Sequence, residues 1–349
     1  MPENNADHNN ITLKFHCHCN LASYTLSVPS SSLPLGSAIC HCSSCRHVTG
    51  QLAGSFVALP PQVELDVSHL TRYASSEWYT RYFCPRCGAD VANYAGGKWR
   101  LCTGLLDKEV FAKGWLERKQ IFVEGAGDGG MSVWLPGLDK MTGGAEGMPP
   151  EKGTYFVPRE TNGSSKGARG EEKVSASCHC RGVQFTLTHP EDDDLSLGLY
   201  TDGGKWWLRD SGRHYAAVFD ACESCRLTTG FELVTWAHVP RANIRMMDGS
   251  PFQLEAGTLM HYDSSPGIQR DFCARCGATV FFRKDSRKPE VWDVAVGLLQ
   301  AESGARAEEW LTWDAEVSLG EEAVDRGLVR MLEDGLKSWK ERKRDHNES

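Results

Sequence analysis

Short stretches in which β-branched and aromatic residues alternate with polar ones dominate the chain. Ile11–Phe15 (ITLKF), Tyr24–Val28 (YTLSV), Gly54–Leu59 (GSFVAL) and Gln184–Leu187 (QFTL) each carry strand formers bounded by turn residues. That pattern predicts a mainly β protein. Helical periodicity is clear only near the C-terminus, where Val324, Leu328, Met331, Leu332, Leu336 and Trp339 recur at three- and four-residue steps. The basic run KERKR, residues 340–344, suits the negative end of that helix. A nucleic-acid role for these five charges is the weaker reading.

Length changes the picture from one unit to two: 349 residues is about twice a usual domain. With 40% apolar and 24% charged residues the chain has material for sizeable cores, and a net charge of −8 argues against nucleic acid as the main partner. No run of 18 apolar residues is available for a transmembrane helix. The opening MPENNADHNN lacks the apolar stretch of a secretory signal, so a cytoplasmic protein is expected.

The unusual feature is 14 cysteines. In a reducing compartment they are expected to be thiols serving metal ligation, in preference to disulfides. They cluster as Cys17-x-Cys19, Cys40-x-Cys42-x-x-Cys45 and Cys84-x-x-Cys87, followed by Cys102; then come Cys178-x-Cys180, Cys222-x-x-Cys225 and Cys273-x-x-Cys276. The order repeats, and so does the sequence around it. FHCHCNLASYTL matches SCHCRGVQFTL, ICHCSSCRHVTG matches FDACESCRLTTG, and RYFCPRCGADV matches RDFCARCGATV. The unit is therefore duplicated. We expect one domain over residues 11–138, a Gly-, Pro-, Ser- and charge-rich linker over 139–172, and a second domain over 173–349 with an insertion and the C-terminal helix. A G-x-S-x-G match in the linker, Gly163 to Gly167, lacks the strand-to-helix context of a nucleophile elbow and is read as chance.

Two doublets per copy suffice for a closed tetrahedral four-cysteine zinc site of the structural type. In the first copy these are Cys17, Cys19, Cys84 and Cys87; in the second, Cys178, Cys180, Cys273 and Cys276. If Cys17 and Cys19 lie in a strand, their i, i+2 spacing puts both thiolates on one face. The middle cluster, Cys40, Cys42 and Cys45, offers three thiolates and leaves a fourth position open, as catalytic zinc sites do. Cys102, His41, His47 and His16 are the alternatives for that position, and Cys102 reads more readily as a buried strand residue. Three thiolates give a net negative site, which favours gathering and orienting a thiol over generating hydroxide. In the second copy Asp220 replaces the first middle cysteine, beside Cys222 and Cys225. Such a set can bind a more Lewis-acidic zinc, but loss or weakening of that site is favoured. The gap between first and second clusters grows from 23 residues (17 to 40) to 42 (178 to 220), and the extra segment holds the acidic run 191–194 and Trp206-Trp207. Those tryptophans could cap the second site; a surface loop packed on its own aromatics is the safer reading.

The order C-x-C, C-x-C-x-x-C, C-x-x-C-G resembles the glutathione-dependent formaldehyde-activating enzyme and centromere protein V family, across roughly residues 13–136 and 174–318. Arg46 and Gly50, Arg226 and Gly230, and Gly88 and Gly277 support the likeness. Asn20 and Leu21 depart from the Gly-Val pair kept as Gly182-Val183, a change of turn. The resemblance implies a β-tent, Mss4-like fold in each half, structural zinc on the outer doublets and a second zinc on the middle cluster. It also implies a carbon–sulfur lyase joining formaldehyde to glutathione as S-hydroxymethylglutathione. Carried onto this chain, Cys40, Cys42 and Cys45 would hold the catalytic zinc, Arg46 would steady a carboxylate or oxyanion, and Lys98 and Arg100 are weaker candidates for a substrate carboxylate. We thus expect two structural zinc ions plus one or two at the middle clusters. The partner expected is a small-molecule substrate, with glutathione a candidate, and neither nucleic acid nor membrane. A different substrate, as in secondary metabolism, and a non-catalytic zinc scaffold that binds another protein are the competing readings.

Overall fold

The structure, a computed structural model, describes residues 10–141, 173–190 and 205–347. Residues 142–172 of the linker, with its G-x-S-x-G match, and the acidic run 191–194 lie outside these residues. The described chain is mainly β, as expected, with four α-helices: α1 (Ser43–Thr49), α2 (Lys108–Ala112), α3 (Glu223–Thr229) and α4 (Arg326–Asn347). None is long and apolar enough to cross a membrane.

Each half contains a small sheet and a large one. In the first half, Asn10–His16 pairs antiparallel with Ser23–Pro29. The large sheet has eight strands, with Leu35–Cys40 between Leu116–Ile121, its parallel neighbour, and Gly54–Ala58, its antiparallel one. In the second half, Lys173–Ser177 and Gln184–Thr188 form the small sheet together with Ile244–Arg245. There His214–Asp220 lies between parallel Leu311–Trp313 and antiparallel Val234–Pro240. The duplicated sequence thus folds into a duplicated topology. All four expected strands form, and the C-terminal helix buries Leu328, Leu332 and Leu336 on one face.

The halves interlock through reciprocal contacts. His18 N donates to Leu227 O and His179 N to His47 O, both at 2.9 Å. Gly104 N donates to Gly230 O and Gly297 N to Gly50 O, again at 2.9 Å. Tyr262 Oη meets His18 Nδ1 at 2.8 Å, mirrored by Tyr73 Oη and His179 Nδ1 at 2.7 Å. Gly50 and Gly230 cap α1 and α3 at φ +75° and +92°. A Cβ on either would stand 2.2 Å from the carbonyl oxygen of Thr279 or Asp90 across the interface. Glycine is required there both for the left-handed cap and for the approach of the other half. α4 closes the assembly, since its Trp339 packs edge-on against Trp134 of the first half at 5.5 Å. Each cysteine doublet at a C-x-C turn therefore rests on the helix that carries the other half's middle cluster.

Candidate metal centres

The cysteines converge into four groups whose donor atoms lie within 4.8 Å of one another. Two are outer sets, Cys17, Cys19, Cys84 and Cys87, and Cys178, Cys180, Cys273 and Cys276; two are middle sets, Cys40, Cys42 and Cys45, and Asp220, Cys222 and Cys225. In the outer sets Cys17 and Cys19 Sγ are 3.6 Å apart, and Cys19 and Cys84 Sγ 3.5 Å. The second copy repeats these separations, 3.6 Å for Cys178–Cys180 and 3.5 Å for Cys180–Cys273. A tetrahedron with metal–sulfur bonds of about 2.3 Å has sulfur–sulfur edges of about 3.8 Å, so these donors fit a zinc ion. Backbone amides of Ala22 and Val183 point at Cys17 and Cys178 Sγ, at 3.4 and 3.3 Å.

The C-x-C doublets do not lie in a strand. The first strand ends at His16, and Cys17–Cys19 occupies a turn closed by the Asn20 N to Cys17 O hydrogen bond. Asn20 and its counterpart Arg181 sit at φ +59° and +57°. The turn, and not strand alternation, brings the two sulfurs together.

In the middle clusters the strand Leu35–Cys40 delivers Cys40, and α1 begins one residue after Cys42. Cys42 is the N-cap of α1, its Sγ accepting from Cys45 N at 3.3 Å. Cys222 caps α3 identically. The short loop and first helical turn thus place Cys40 and Cys42 Sγ 3.5 Å apart. Asp220 Oδ1 accepts from Cys222 N at 2.8 Å, so the replacement carboxylate stays with its two cysteines.

None of the alternative fourth ligands joins the first middle set. His41 Nε2 is 3.1 Å from Gln120 Oε1, and His47 Nδ1 is 2.8 Å from Ser177 O. His16 Nδ1 turns to Cys17 O, and Cys102 is buried outside the four groups. The three cysteines instead face a cavity of about 360 Å³ walled by Phe56, Trp78, Tyr79, Ile121, Phe122 and Met141. Lys98 lies on its wall without an ion-pair partner among the described residues, whereas Lys119 pairs with Glu117 at 3.4 Å. Arg100 also lines it, but its Nη1 is held by Ala95 O at 3.1 Å.

Arg46 does not line this cavity. It is buried, and burial lowers its pKa from the ordinary guanidinium value. One step along α1 rotates a side chain by about 100°, which carries Arg46 away from the face that Cys45 presents. The guanidinium at the cluster belongs to Arg81, whose Nη2 donates to Cys45 Sγ at 3.3 Å and whose Nε donates to Ser75 Oγ at 3.1 Å. Arg270 repeats this in the second half, with Nη1 to Cys225 Sγ at 3.2 Å and Nη2 to Ser224 Oγ at 2.9 Å. The hydrogen bonds from Cys40 and Cys42, and Arg81's charge and hydrogen bond, hold Cys45 well below the usual thiol range against the effect of burial. Burial lifts the nearby Asp90 carboxyl well above its ordinary value, so Arg81 has Cys45 as its anionic partner. Sequence reasoning missed both arginines, although each opens a matched R-x-F-C-x-R-C-G segment.

Residues 12–125 and 209–313 match the family described as glutathione-dependent formaldehyde-activating enzyme. The chain belongs to this family. The second match begins after the insertion and so leaves out Cys178 and Cys180, which the fold nevertheless brings to Cys273 and Cys276. No curated protein and no solved structure matches the chain.

An arginine that donates to a thiolate ligand fixes its orientation and tempers its charge, and losing such a partner weakens metal binding by roughly 10–100-fold. Arg81→Gln is expected to weaken the metal at Cys40, Cys42 and Cys45 by that factor while the outer sets keep theirs. Chelator competition on the purified protein reads this directly: one metal equivalent leaves earlier than in wild type. Unchanged release of every equivalent would remove Arg81 from the centre.

Proposed function

We propose that the chain is a zinc-dependent carbon–sulfur lyase that makes and splits adducts of a small thiol with an aldehyde. Of two tandem copies over residues 11–138 and 173–349, the first would house this reaction. The observation that carries this reading is the three-cysteine set in the wall of a largely apolar cavity, with no fourth protein ligand among the described residues. Zinc held by Cys40, Cys42 and Cys45 would supply an open position at which a thiol is bound and loses its proton.

The chain's own residues supply the rest. Arg81 balances the negative charge that three thiolates and one dication leave behind, which restores part of the electrophilicity that three sulfurs remove. Phe56, Phe122 and Tyr79 keep water from the reacting atoms, and Lys98 is placed to meet a substrate carboxylate at the wall. In the addition direction the sulfur bonds to the carbonyl carbon and the carbonyl oxygen takes a proton. In the reverse direction that carbon–sulfur bond breaks and the proton returns. No electrons are exchanged with a third party. The family's own pair, glutathione and formaldehyde, is the first substrate pair to test.

The test loads the protein with zinc and follows adduct exchange by NMR with isotopically labelled formaldehyde, first with glutathione and then with a panel of small thiols and aldehydes. Exchange faster than the uncatalysed rate, and lost when a chelator strips the weaker metal, supports the reading. No acceleration with any pair by fully loaded protein overturns it in favour of a non-catalytic scaffold.

A further inference from the structure

The second cavity differs from the first at paired positions of the duplicated sheet. Ala58 lies opposite Arg100 in the first half; His238 lies opposite Asp293 in the second. His238 Nδ1 is 2.6 Å from Asp293 Oδ1. Arg287 grips both oxygens of that carboxylate, Nη1 to Oδ1 at 2.6 Å and Nη2 to Oδ2 at 3.1 Å. Burial would raise the Asp293 pKa, but His238 and Arg287 hold it below the usual carboxylate range. A carboxylate fixed in this way accepts the Nδ1 proton and leaves Nε2 with the lone pair. No described residue bonds Nε2, and the imidazole lines a cavity of about 470 Å³ that it shares with Asp220, Cys222 and Cys225.

The remaining wall is suited to a small neutral or acidic ligand with a flat apolar part. Trp206 stands edge-on over His238 at 4.8 Å and is itself covered by the Arg287 guanidinium at 5.0 Å. Trp236 and Phe282 add aromatic surface, while Lys284 and Arg270 are the further cations on the wall; Asp220 and Asp293 are its only carboxylates among the described residues. The expected self-packed loop is therefore met only in part. Trp206 touches Trp207 at 5.9 Å, but Trp207 is buried in the core and Trp206 roofs the cavity.

We propose that this cavity is a hydrolytic site for a small acyl ester or thioester, with His238 as general base and Asp293 as its positioning residue. The replacement of a thiolate by Asp220 makes the local donor set harder, which suits an oxygen ligand over a thiol. His238 Nε2 takes a proton from water as the water oxygen bonds to the acyl carbon. The carbon–oxygen or carbon–sulfur bond to the leaving group then breaks, and the proton passes to that group. Carboxylic acid and alcohol or thiol are the products, with no redox change. The inference uses no residue of the first cavity and stands apart from the adduct chemistry proposed there.

The probe is p-nitrophenyl acetate, hydrolysed by the zinc-loaded full chain. We expect saturable hydrolysis that slows in deuterated water. His238→Gln keeps an amide that can meet Asp293, so it should fold, and it should lose roughly 100-fold in kcat/KM. Asp293→Asn should lower the rate and displace the pH profile. Histidine nitrogen NMR should place the His238 proton on Nδ1 in wild type and lose that preference in Asp293→Asn, a readout that does not depend on turnover. Wild-type hydrolysis by His238→Gln, absence of saturable hydrolysis, or a proton resident on Nε2 each overturns the proposal.

Discussion

Cys84→Ser loses one tightly held metal per chain and melts at least ~10 °C below wild type, a shift of the size expected when several kcal/mol are removed from a domain of this class. Cys84 is fully buried and 3.5 Å from Cys19, so a serine there leaves a three-sulfur set with a poor fourth donor. Structural zinc supplies about 10–16 kcal/mol in small zinc domains, as much as the entire stability of many folds. The interlock spreads the damage. The turn that carries Cys17 and Cys19 donates from His18 N to Leu227 O on α3, the helix that carries Cys222 and Cys225. We therefore expect proteolysis to open both halves and not the first alone. Metal content by mass spectrometry, calorimetry and limited proteolysis read the three effects together. Wild-type metal content and melting would remove the structural assignment. Cleavage confined to the first half would show that the two copies fold independently.

The parts of this protein that were legible in its sequence are those in which chemistry or backbone preference acts over a few residues. Metal ligation imposes short cysteine spacings, so all four donor groups could be grouped before any fold was known. Strand formers between turn residues marked Ile11–Phe15 and Tyr24–Val28, and the apolar repeat ending at Trp339 marked α4. Where the reading went astray, the cause was a contact distant in sequence or a local backbone state without a side-chain signature. Cys17-x-Cys19 fitted strand alternation, but positive φ at Asn20 turns the chain there. Arg46 adjoins Cys45 in sequence, yet helical rotation sends it elsewhere. Arg81, by contrast, was not singled out, because the thiol it serves lies 36 residues earlier. The reciprocal bonds that join the halves link residues 106 or more positions apart, and no local pattern announces them.

Duplication followed by divergence explains why two cavities with one architecture carry different groups. Arg81 and Arg270 hold equivalent sulfurs, and both helices keep a cysteine N-cap. Those elements support the centre itself. The walls have changed instead: Ala58 and Arg100 give way to His238 and Asp293, and an insertion brings Trp206 over the second cavity. A site that had merely decayed would not be expected to acquire a buried, doubly clamped carboxylate bonded to a cavity-lining histidine, because burying such charges costs several kcal/mol unless they are paired.

Cys42→Ser is expected to reduce adduct exchange by 100-fold or more while shifting the melting temperature by only a few degrees, the loss of a ligand at the reacting centre being large and the loss to the fold small. The fold is spared for two reasons. The outer four-cysteine sets keep their metal, and serine is itself a good N-cap, so α1 retains the acceptor that Cys42 Sγ gives to Cys45 N. Activity is not spared, because among the described residues three donors form the set at the first cavity and none of His16, His41, His47 or Cys102 stands ready to replace one. Cys222→Ser makes the same change in α3, and its cap is preserved in the same way. Adduct exchange should fall far less in that variant, whereas p-nitrophenyl acetate hydrolysis should fall more than in Cys42→Ser. Measuring both reactions and both melting temperatures side by side separates the halves. If adduct exchange survives Cys42→Ser and is lost in Cys222→Ser, the aspartate–dicysteine centre of the second half is the lyase, and the roles assigned here to the two cavities are reversed.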